Sequence, residues 1–134
     1  MAKKQIDENF VVDKAYIYGL SFSFYKFYCN VLVEDWYFSK KNLKSVRKKV
    51  EGISNWLKNE NCFSSDSKKD LEKLVHDVSL SLKGINAGLK YRKETYAYTR
   101  NLQKASKDVT PNLIQLLTKT NYVISKYEIY PADL

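Results

Sequence analysis

Residues 15–33 read AYIYGLSFSFYKFYCNVLV, and the folding of this stretch decides the architecture of the chain. Ile17, Leu20, Phe24, Phe27 and Val31 recur at the 3-4-3-4 spacing of one helix face. A second set at the same spacing is Tyr18, Phe22, Tyr25, Cys29, Leu32 and Trp36. A competing strand pattern exists, because Tyr16, Tyr18, Leu20, Phe22 and Phe24 alternate with Ile17, Gly19, Ser21 and Ser23. The helical spacing extends much further than the alternation, so the stretch is read as a helix spanning about 7–38. Two apolar stripes on one helix predict burial on more than one side, as in the central helix of a bundle. Lys26, Asn30 and four tyrosines make the same stretch a poor bilayer span.

Outward from this segment the rest of the chain is also helical in pattern. The next helix is expected over 40–59 with Ser39 as N-cap. Leu43, Val46, Val50, Ile53 and Leu57 form its narrow apolar stripe. After the loop NENCFSSDS, a third helix is expected to start near Ser67, with Asp70 favouring its positive end. Leu71, Leu74, Val75, Val78, Leu82, Ile85 and Leu89 make its face. The apolar phase then shifts to Tyr91, Tyr98, Leu102 and Ala105, and Gly84 and Gly88 mark the expected break or kink. Thr110 as N-cap and Pro111 as first residue predict the start of the last helix. The expectation is one all-α domain over 1–134, a four-helix bundle, or five helices if the third breaks near Gly84 and Gly88.

The charge is unevenly placed. The chain has 134 residues and a formal net charge of +8. Residues 40–58 hold seven basic residues against Glu51 alone, and residues 83–107 hold seven against Glu94 alone. The remainder is net acidic, so these two segments supply more than the whole excess. Within 40–49, Lys40, Lys41, Lys44, Arg47 and Lys48 project within about 120° of arc opposite the apolar stripe, and Lys49 lies on a flank. In the second segment, Lys93, Arg100 and Lys104 stand among Tyr91, Tyr96 and Tyr98, an arrangement suited to phosphates and unpaired bases. The competing reading for both segments is a solvated lysine-rich face. Lysine outnumbers arginine 20 to 3, which argues against sequence-specific base reading.

No residue set announces catalysis, a cofactor or a metal. His76 is the sole histidine, and Glu72 shares its helix face, but a metal site needs further ligands. Cys29 and Cys62 form no zinc spacing, and a Cys/His nucleophilic pair would require a proximity the sequence does not provide. Asp7–Glu8 and Glu34–Asp35 are sequence neighbours that diverge on a helix, so they read as surface charges. Gly84 and Gly88 lack the strand and spacing of a phosphate loop. The N-terminus lacks the apolar stretch of a signal peptide, and the two cysteines are read as reduced thiols in a cytoplasmic protein.

These observations lead to a non-enzymatic helical binding protein. Its candidate contacts are Lys40, Lys41, Lys44, Arg47, Lys48, Lys93, Arg100 and Lys104, engaging nucleic acid or an acidic protein surface. No cofactor, small-molecule substrate or membrane span is expected. The alternative is a protein-binding inhibitor, immunity-type protein or assembly subunit, including a homo-oligomer, motivated by the ring-rich first helix. The low Gly and Pro content and the Lys, Tyr and Asn richness suit a viral, phage or mobile-element protein.

Overall fold

The structure is a computed structural model, and it describes residues 12–59, 65–91 and 95–127. The described residues form four helices: α1 (Lys14–Leu32), α2 (Trp36–Asn59), α3 (Ser65–Lys90) and α4 (Tyr96–Tyr127). Each packs against its neighbours in the cycle α1–α2–α3–α4–α1, so α1 lies diagonal to α3 and α2 to α4. Residue pairings fix the directions. Tyr16 and Ser23 of α1 meet Lys49 and Ser45 of α2, and Asp70 and Gly88 of α3 meet Lys119 and Tyr98 of α4. Gln103 of α4 reaches the carbonyls of Val31 and Leu32 at the far end of α1. The arrangement is an up-down-up-down four-helix bundle.

The inner stripes meet in one core. Ile17, Leu20, Phe24, Phe27 and Val31 from α1 are buried, as are Leu43, Val46, Val50, Ile53 and Leu57 from α2. The expected face of α3, from Leu71 to Leu89, is buried in full. Each such side chain contributes roughly 1.5–3 kcal/mol of apolar burial. Ser39, Ser106 and Thr120 are buried too, and their hydroxyls donate to the carbonyls of Asp35, Leu102 and Leu116. These polar groups therefore carry no desolvation penalty without a partner.

The helix boundaries differ from the sequence reading in four places. First, the helix expected over 7–38 begins at Lys14, where Asp13 caps the Tyr16 amide at 2.8 Å, and ends at Leu32. Glu34 takes φ 60°, the Asp35 amide donates to the Asn30 carbonyl, and the Glu34 amide donates to the Val31 carbonyl. This is the Schellman pattern, closed here by a glutamate where glycine is the common choice. Second, α2 starts at Trp36, not Lys40. Asp35 supplies the cap through its carboxylate to the Phe38 amide, and Ser39 sits buried inside the first turn. Glu34 and Asp35 are thus a turn and a cap.

Third, α3 continues unbroken through Gly84 and Gly88 to Lys90. A Cβ at Gly88 would stand 2.9 Å from the Leu102 side chain, so this glycine permits close approach of α4 and marks no break. Fourth, Thr110 and Pro111 lie inside α4 and do not start it. The cap is Thr95, whose hydroxyl accepts from the Tyr98 amide at 3.1 Å. Pro111 costs its helix an N–H, about 3 kcal/mol in an interior. Burial of Val109, Leu113 and Leu116 on either side outweighs that loss. The phase shift near residue 90 is the boundary between two helices.

One further expectation is corrected. α1 is not buried on two sides. Its second stripe faces outward, with Tyr18, Phe22 and Tyr25 exposed by 72%, 62% and 65%. A four-helix cycle gives every helix an outer face, so no helix is central.

Candidate nucleic-acid interface

α2 positions the first basic group. Its inner stripe is locked in the core, which rotates the opposite side to solvent. Lys40, Lys41, Lys44, Arg47 and Lys48 are all exposed there. None of the five takes part in an ion pair among the described residues. Lys41 instead lies beside two exposed rings, 5.1 Å from the Tyr37 centroid and 5.9 Å from that of Phe38. Lys49, on the flank, packs its amine 4.9 Å over the Tyr16 ring. Tyr16 also donates its hydroxyl to the Lys49 carbonyl at 2.8 Å, and burial pushes its pKa up to about 12.

The seam between α1 and α2 joins two different outer faces. Ser23 and Ser45 touch across it at 3.3 Å. On the α1 side the next residues round the helix are Phe22 and Lys26, with the Lys26 amine 5.2 Å from the Phe22 centroid. On the α2 side Lys41 and Lys48 are one turn above and below Ser45. Phe22 and Lys26 of α1 therefore lie on the same side of the bundle as the cations of α2, whereas Tyr18 borders the cleft toward α4. Among the residues of α1 and α2, nine basic side chains stand against one acidic side chain, Glu51.

The second basic group is divided. Arg100 and Lys104 are exposed on α4, and Lys93 lies outside the described residues. Lys104 is paired with Asp108 at 2.9 Å, and the Arg100 guanidinium lies 5.5 Å from the Tyr96 ring centroid. Because α2 and α4 are diagonal, their outer faces point away from each other and the two groups do not merge. The two helices meet at one end, where the Trp36 and Tyr98 rings make an edge contact at 6.3 Å between centroids. Both helices flank α1, so its ring stripe has cations on either side.

The remaining candidates are scattered. His76 and Glu72 are exposed on α3, diagonal to Cys29 on α1, and Cys62 and Asp7–Glu8 lie outside the described residues. No group of three metal-ligating side chains occurs among the described residues. An open cleft of about 240 Å³ between α1 and α4 brings Lys14 and Tyr18 beside Ser21, Thr118 and Asn121. No described helix is long and apolar enough to cross a membrane.

The exposed ring stripe is the feature sequence reasoning assigned to the wrong place. Its signal was present in the second 3-4 set of α1, which a small bundle cannot bury. No family model, no curated protein and no solved structure matches the chain.

Proposed function

We propose that this chain is a non-enzymatic helical binding protein of the cytoplasm that engages nucleic acid through the outer face of α2. The observation that carries the reading is the set of five exposed cations, Lys40, Lys41, Lys44, Arg47 and Lys48, on one helix face without an ion pair among the described residues. Phosphates attract such a set without regard to sequence, and a folded helix presents several cations to one backbone at little entropic cost. Arg100 and Lys104 form a separate, weaker contact, since Lys104 is already paired with Asp108.

A salt titration of binding tests this. Five phosphate contacts on a duplex give a slope of about −4.5 in log K against log salt. Replacing Lys41, Lys44 and Lys48 with Gln should cut that slope by about 3. Absence of binding to DNA and RNA at low salt, or a flat salt response, contradicts the reading.

The exposed α1 rings favour a second reading, docking to an acidic protein surface as an inhibitor, immunity-type protein or assembly subunit. Self-association, seen as a concentration-dependent mass, or retention of a discrete acidic protein by immobilised chain would support it over the first.

A further inference from the structure

We infer that the outer face of α1 is a stacking platform for unpaired bases, so that the nucleic acid bound is single-stranded. The assignment rests on the nucleic-acid reading above and adds a substrate class to it.

Tyr18, Phe22 and Tyr25 share one face of α1 within about 60° of arc, rising about 6 and 4.5 Å apart along the axis. All three are more than three-fifths exposed. Tyr18 and Tyr25 make no ring contact or side-chain hydrogen bond among the described residues, so their faces are open. A Phe or Tyr left in water forgoes roughly 1.5–3 kcal/mol of burial, and three in succession form a patch that folding does not require.

Charge selects an anionic occupant. α1 carries Lys14 and Lys26 and no acidic residue, and the lysines of α2 adjoin it. A second copy of this chain would set like charges against each other. Size disfavours a protein partner. The stripe from Tyr18 to Leu32 is about 21 Å long and one helix wide, well short of the ~800 Å² per partner of a stable protein interface. The pairing of rings with cations then points to nucleotides. Phe22 lies beside Lys26, and Tyr37 and Phe38 lie beside Lys41, so a base and its phosphate each find a partner within one turn of helix. A duplex keeps its bases stacked inside and can use the cations alone.

The test measures anisotropy of labelled oligo(dT) and of a hairpin duplex with the same number of phosphates, on the full chain at low salt. Phe22→Ala with Tyr25→Ala should weaken oligo(dT) binding about tenfold or more and change duplex binding less than about threefold. Phe22→Leu with Tyr25→Leu keeps an apolar face without a π system and should lose affinity almost as far. Unchanged thermal melting of both variants shows that the fold is intact. Oligo(dT) affinity that survives either pair of substitutions overturns the assignment. If the α2 charge variants still weaken both ligands, the nucleic-acid reading stands without it. Wild-type chain that binds neither ligand removes both readings together. Ring substitutions that abolish a dimer, or binding to anionic vesicles, while leaving oligo(dT) binding intact also overturn the assignment.

Discussion

α1 and α3 stand diagonally across the bundle and are alike inside and opposite outside. Each contributes one apolar stripe, and each packs on the same two neighbours, α2 and α4. Outward, α3 shows Glu72, Lys73, His76, Ser79 and Lys83, a mixed polar surface with Leu80 as its one exposed large apolar residue. α1 shows Tyr18, Phe22, Tyr25 and Leu32 with no acid among them. The fold fixes the inner faces of both helices and leaves the outer ones free. What α1 presents to solvent therefore calls for an explanation outside folding, and α3 is the internal control.

The largest effects should fall equally on the two inner faces. Phe27 and Leu82 are fully buried, and Phe27→Ala should cost about 3–5 kcal/mol and Leu82→Ala about 2–5 kcal/mol in denaturant titrations. By contrast, Phe22→Ala on α1 and Leu80→Ala on α3 should each stay within about 0.5 kcal/mol. A large loss for Phe22→Ala would break the comparison by showing that the outer rings support the fold.

Next in size is α4, the neighbour shared by both helices. Pro111 is exposed inside a continuous helix, so Pro111→Ala should stabilise the protein by up to about 3 kcal/mol, read as a raised melting temperature. Destabilisation would mean that the helix is not continuous there. Sequence reading failed at this point for a physical reason. Thr-Pro is a strong local start signal, yet Tyr98, Leu102, Ala105, Val109, Leu113 and Leu116 already formed one unbroken stripe across it. Tertiary burial overrode the local preference. The end of α1 was hidden in the opposite way, because Glu34 occupies a left-handed position where glycine would have announced the turn. The exposure of the α2 cations, by contrast, was legible, since five lysine and arginine positions opposite a clean stripe have nowhere to go except solvent. What periodicity could not reveal was which of two equal stripes on α1 would be buried.

Two smaller effects sharpen the contrast at the seams. Tyr16 ties α1 to α2, and Tyr16→Phe should cost about 1 kcal/mol at neutral pH. Its phenol titrates near 12 in the fold against 10.0 for the free group, so between these values unfolding releases a proton. Its contribution is complete below pH 10 and declines as pH rises through the folded value. The stability gap between wild type and Tyr16→Phe should therefore shrink in alkaline unfolding curves, and a gap that widens contradicts the assignment. On α3, Gly84 has open space around it and Gly88 abuts Leu102. Gly84→Ala should stabilise by about 0.5–1 kcal/mol. Gly88→Ala should gain less or lose, because the buried Leu102 must move. Equal gains at the two glycines would place the α3–α4 approach elsewhere.

The central claim is that one side of this bundle, the α1–α2 side, meets nucleic acid and the α3 side does not. A backbone and side-chain NMR shift map recorded during oligo(dT) titration tests it most directly. The account predicts shifts concentrated at Tyr18, Phe22, Tyr25, Lys41, Lys44 and Lys48, with Glu72, His76 and Leu80 unmoved. Shifts centred on the outer face of α3, or none anywhere at low salt, would contradict it.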